Sequence, residues 1–132
     1  MPFGYHLNQD DGLVTITGND KASLAEAIAL GRKLLLDPVF DPELPHLVDL
    51  RGLEVAASTQ ETHELRDFVL QDYRPSVQAS VAVVIDHTLD QHSVAGLYHL
   101  SCAMDQTELF DHYDHALRWL MRREFAAGAA RG

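Results

Sequence analysis

Asp86 and His87 stand side by side at the end of Val81–Ile85, the longest strongly apolar run in the chain. A carboxylate beside an imidazole is the pairing on which general-base chemistry is built. Neighbouring side chains on a strand project to opposite faces, however, so these two need not meet. No activated nucleophile stands nearby in sequence, and no catalytic residue is assigned. His63-Glu64 opens like a zinc-protease helix, but Asp67 occupies the place of the second histidine and the motif fails. His112 and His115 are three apart and flanked by Asp111 and Asp114, a spacing that can hold a metal. Built sites bring together three or four ligands, so the pair is expected as a solvated helix face, with no metal and no other cofactor. Asp49 and Arg51 lie two apart and therefore on one side of a strand. They can form an ion pair that anchors the following loop, or a polar wall that orients a carboxylate, a phosphate or an acidic residue of a partner.

The elements that must position these groups follow from periodicity and turn chemistry. Phe3–Gln9 and Leu13–Thr17 alternate as strands around Asp11-Gly12, a hairpin turn pair. Asp20 is expected to cap a helix from Lys21 to Leu36, with Leu24, Ile28, Leu34 and Leu35 on its buried face. Asp37-Pro38 stops it, and Pro38, Pro42 and Pro45 make a stiff connector to a strand at His46–Leu50. Ser58 and Glu61 form a capping-box signature for a helix from Thr59 to Tyr73, whose stripe is Leu65, Phe68, Val69 and Tyr73. Ser80–Ile85 reads as a central strand covered on both faces. A helix over Gln91–Met104 should turn Val94, Leu97 and Tyr98 inward. Thr107–Phe110 closes the strands, and Asp111 can cap a last helix to about residue 125. The stretch 126–132 is expected to fray.

The order β-β-α-β-α-β-α-β-α predicts one α/β domain: a mixed, mostly parallel sheet with an N-terminal hairpin, covered by helices. A length of 132 residues fits a single core. In such sheets ligands gather beyond the carboxyl ends of the strands. That edge would be lined by Arg51, Ser58, Thr59, Asp86 and His87, the candidate binding surface.

Three stretches carry a resemblance: Asp37-Pro-Val-Phe-Asp-Pro-Glu-Leu-Pro45, Leu47-Val-Asp-Leu-Arg51, and Glu108-Leu-Phe-Asp111 followed by Ala116-Leu-Arg-Trp-Leu120. With the element order, they make the chain resemble the bacterial STAS-like (SpoIIAA-like) domains, and more specifically the uncharacterised branch with a STAS or CRAL-TRIO-like fold. The resemblance implies one of two jobs. Antagonist-type STAS domains are regulatory, protein-binding modules switched by phosphorylation of a serine at the start of the second helix. CRAL-TRIO-like folds bind small apolar molecules, often lipids. Ser58 and Thr59 hold the matching helix start, but the Asp-Ser-Ser-Gly-like phosphoacceptor motif is absent; Ala56-Ala57-Ser58-Thr59-Gln60-Glu61 stands there instead.

Composition narrows the remaining functions. Twenty acidic and ten basic side chains leave a net charge of −10, which disfavours nucleic acid and anionic membrane surfaces. The one basic cluster, Arg118, Arg122 and Arg123, suits a helix C-terminus. No apolar run spans a bilayer, and the N-terminus has neither the basic nor the apolar part of a signal peptide, so a cytoplasmic address without membrane insertion is expected. A single cysteine, Cys102, excludes an internal disulfide and is expected as a small core residue. There is no P-loop, dinucleotide fingerprint or nucleophile elbow. Trp119, Tyr113 and Leu120 should close the last helix on the sheet, with Met104 and Met121 as ordinary core. A protein partner or a small apolar ligand is the expected partner, with a homodimer possible.

Overall fold

The computed structural model describes residues 2–8, 12–55, 58–104 and 106–131, with residues 8 and 123–131 described by backbone alone. The expected strand end at Gln9, the turn residue Asp11, the Ala56-Ala57 step and the Arg123 side chain lie outside the described residues. Five strands form the main sheet: β1 (Phe3–Asn8), β2 (Leu13–Gly18), β4 (His46–Asp49), β6 (Val81–Val84) and β7 (Thr107–Phe110), in spatial order β1-β2-β4-β6-β7. β1 and β2 form the antiparallel hairpin, with Phe3 opposite Gly18 and Asn8 opposite Leu13. Gly12 in the turn has φ +65°, the left-handed region that glycine enters without strain. The other pairings are parallel, with Ile16, Val48 and Val83 in line across three strands.

From β2 onward each new strand is added on the same side of the last. Right-handed crossovers then put every crossover helix on one face. These helices are α1 (Leu24–Leu36), α2 (Thr59–Phe68) and α3 (Gln91–Cys102), and α4 (Tyr113–Arg131) covers the other face. Strand alternation sorts the core accordingly. Leu47, Ala82 and Val84 point to α4 and pack with Ala116 and Leu120. Leu50, Leu53 and Val83 pack with Phe3 and Leu89 on the three-helix face.

Several local readings are corrected. Two three-residue strands, β3 (Asp20–Ala22) and β5 (Leu53–Val55), pair in parallel as a second small sheet; three residues are too few to write an alternation. Asp20 lies in β3 at φ +61°, and Ser23 caps α1 instead, accepting from the Glu26 N–H at 3.3 Å. Val69–Tyr73 continues α2 as a π-helical turn, closed by Arg74 N–H to Val69 C=O at 2.8 Å. Cys102 is exposed rather than core. Tyr98 and Met121 also point to solvent, at 60% and 63% exposure, because α3 and α4 turn other residues of those segments inward. α4 runs to Arg131, past the boundary near residue 125.

Candidate functional site

At the carboxyl edge of the strands, Arg51 donates from Nε to Asp49 Oδ1 at 2.9 Å and from Nη2 to Oδ2 at 2.8 Å. Its guanidinium lies over the Tyr113 ring, 4.9 Å from the centroid. That bidentate bond holds the Asp49 carboxyl below its ordinary range and raises Arg51. Asp86 accepts from the Thr88 hydroxyl, from the Thr88 N–H at 3.1 Å and from the Gly52 N–H at 3.1 Å. The Thr88 hydroxyl first, then these two backbone bonds, lower its pKa. Asp86 thus ties the loop after β6 to the loop after β4 through Gly52, while Arg51 is held between Asp49 and the Tyr113 ring. Ser58 accepts from the Glu61 N–H at 3.1 Å and donates to Glu61 Oε1 at 3.3 Å, the cap read from the sequence. Thr59 and His87 are exposed, and neither shares a hydrogen bond with the Arg51 and Asp86 groups among the described residues.

A large opening lies elsewhere. A cavity of about 800 Å³, partly open to solvent, separates the sheet from α1, α2 and α3. Its wall is apolar: Ile16, Val48, Leu50 and Leu53 from the strands and their loops, Ala27 and Leu30 from α1, Leu97 and Leu100 from α3. Its exposed lining residues all come from two segments. His63, Arg66, Asp67 and Gln71 belong to α2 and its π turn, and His92, His99 and Ala103 to the α3 segment. The mouth is therefore the slot between α2 and α3. These helices approach at Gly96, where an added Cβ would lie 3.8 Å from Thr62 Cγ2. None of Arg51, Ser58, Thr59, Asp86 and His87 lines the cavity.

Local sequence explains the hollow. α3 has no fully buried residue, and it presents Ser93 and Gly96 where large side chains would fill the space. α2 presents Thr62, His63 and Arg66. By contrast α1 and α2 lock together, since Gly31 leaves room for the Phe68 ring, whose Cε2 would sit 2.6 Å from an added Cβ. The sequence signal was the weak apolar stripe of α3, with small residues at helical spacing.

The π turn ends at Tyr73, which is half-buried and bonds to the buried His46. His46, 1% exposed, contacts Leu44 C=O through Nδ1 at 2.9 Å and the Tyr73 hydroxyl through Nε2 at 2.8 Å. The carbonyl requires the proton on Nδ1, so Nε2 accepts from the phenol. Burial pushes His46 down to about 4 and Tyr73 well above its ordinary value; the bond to Leu44 opposes the first shift, and the Arg74 charge reinforces it. Tyr73, which also lines the cavity, is pinned by a neutral imidazole.

Asp111, His112 and His115 offer ligand atoms within 4.8 Å of one another, so the pair weighed from spacing gains a third member. All three are exposed, and the approach of His112 Nε2 to Asp111 Oδ1 at 3.8 Å is the only polar contact among them. Among the described residues no hydrogen bond orients either ring, the support that metal-ligating histidines ordinarily have.

No protein-family model matches the chain, and no curated protein does. The fold is similar to the crystal structure of an uncharacterized DUF3478-family protein with a SpoIIAA-like fold from Shewanella loihica PV-4. The match has a TM-score of 0.56 and 19% identity, and covers 89% of this chain and 91% of that one. The chain has a SpoIIAA-like fold: a mostly parallel sheet with an N-terminal antiparallel hairpin and four helices. No helix among the described residues is long and apolar enough to cross a membrane.

Proposed function

We propose that this protein binds a small apolar or amphipathic molecule between its sheet and helices α1–α3, as a carrier or sensor. One observation carries the reading, the apolar cavity of about 800 Å³. It lies within the size range of small-molecule pockets, about 300–1,000 Å³. The cavity is partly open, so water can enter it, but its apolar wall offers that water few hydrogen bonds and a molecule with an apolar body would displace it favourably. A protein-docking role at the strand edge has less support, because Arg51 and Asp86 already satisfy their charges within the fold.

The test is a fluorescence titration with Nile red, a neutral apolar dye. The wild-type protein should bind it saturably, one dye per chain. Leu97→Trp, which fills the cavity from α3, should abolish the signal while keeping the wild-type melting temperature. Absence of saturable binding, or equal binding by a folded Leu97→Trp variant, would contradict the proposal.

A further inference from the structure

We infer that the molecule held in this cavity is a single-chain amphiphile with an anionic head group, gripped at the mouth by Arg66 between histidines. The inference rests on the cavity reading above and adds the chemistry of the head. The chain as a whole carries twice as many acidic as basic side chains, whereas the mouth holds one arginine to one carboxylate and adds three imidazoles. Of its seven exposed lining residues, four are Arg66, His63, His92 and His99, and Asp67 is the single carboxylate.

The spacing sets these groups along the slot. His63 and Arg66 are three apart and share a face of α2. On α3, His92, Gly96 and His99 follow helical spacing, which puts the two histidine backbones about 10 Å apart along the axis, with the glycine between them. Arg66 approaches Asp67 only at 3.9 Å, with both side chains 56% exposed. That contact is beyond hydrogen-bond length, so the guanidinium keeps its fork of donors for another oxyanion. The Arg66 and His63 side chains make no hydrogen bond within the protein among the described residues. Two further acids lie beside these groups in sequence: Asp90 caps α3, accepting from the Ser93 N–H at 2.7 Å and facing His92, and Glu64 accepts from Gln60 at 3.2 Å. The wall behind the rim is apolar and has no place for a second charge. A tail in the cavity and one oxyanion at the rim satisfy both.

Four probes with the same tail test this below their micelle concentrations: dodecanoate, dodecyl phosphate, dodecanol and dodecyltrimethylammonium. Calorimetry reads their affinities for the wild type, Arg66→Gln and Asp67→Asn. The anions should bind roughly tenfold more tightly than the alcohol, the scale of one charge-assisted hydrogen bond, and the ammonium most weakly. Their relative affinities report whether the rim prefers a carboxylate or a phosphate. Arg66→Gln should bring the anions to the level of the alcohol without changing alcohol binding. Asp67→Asn should tighten the anions. If the alcohol matches the anions in the wild type, or Arg66→Gln leaves the ranking intact, the head-group inference is overturned and the cavity reading survives. If none of the four binds, both fall.

Discussion

The two faces of the sheet are built to different standards. On the α4 face, Leu47, Ala82, Val84, Ala116 and Leu120 interlock with no exposed surface at all. On the other face three helices cover the same strands, yet α3 buries no residue completely and a cavity of about 800 Å³ remains. Both faces draw on the same strands, whose alternate residues supply each side, so the difference lies in the helices. α4 brings Ala116 and Leu120 at i, i+4 spacing. α3 brings Val94, Leu97 and Leu100 inward, but with Ser93 and Gly96 beside them and no residue fully buried. One face supplies the stability that allows the other to stay open, a division seen where ligand-binding elements come from the less stable parts of a fold.

Core truncation should give the largest contrast. Leu120→Ala on the closed face should cost about 2–5 kcal/mol in urea unfolding. Leu100→Ala, which borders space that is already open, should cost less than about 1 kcal/mol by the same cavity reasoning. Similar costs would mean that the two faces are packed alike.

Next in size is the pH response of the hollow face, where His46 pins Tyr73. The folded imidazole titrates at about 4, against about 6.5 when unfolded. Between those values the unfolded chain binds the extra proton, so stability is complete above about pH 6.5 and falls as the pH drops towards 4. The total loss from this group is on the order of 3 kcal/mol. The urea midpoint followed from pH 7 to 4 should show this fall in the wild type and a shallower one in His46→Gln. Equal slopes would remove His46 as the cause.

Ser58→Ala should cost about 1 kcal/mol, the value of a helix cap, in thermal unfolding. A much larger loss would give this serine a role beyond capping. Arg51→Ala should have the smallest effect, within about 1 kcal/mol, because its ion pair is half exposed and screened by water. An effect comparable with Leu120→Ala would make the strand edge a structural centre in its own right.

Elements with a strong period or a cap were legible before any coordinates. The Asp11-Gly12 hairpin, the continuous run Val81–Ile85 and the Ser58–Glu61 cap fixed the sheet and the start of α2. Strand spacing predicts the Asp49–Arg51 pair, which does form, but β4 ends at Asp49 and it is the turn after it that brings Arg51 back onto the carboxylate. Short or unpatterned features were not legible. β3 and β5 have three residues each, and their pairing joins positions 33 residues apart. Asp20 looked like a cap because its residue type fits one, while Ser23, equally suited, lies where the helix begins. The cavity is hardest to foresee, since it is defined by what α3 lacks. A helical pattern shows which side chains point inward but not whether they reach the opposite wall.

The most direct test of the hollow face is an amide and methyl chemical-shift titration of the intact protein with dodecanoate. Saturable changes should appear at Leu30, Val48, Leu53 and Leu97, with Leu117 and Leu120 on the α4 face unmoved. Changes confined to α4, or a non-saturating drift spread over both faces, would contradict a ligand cavity beneath α1–α3.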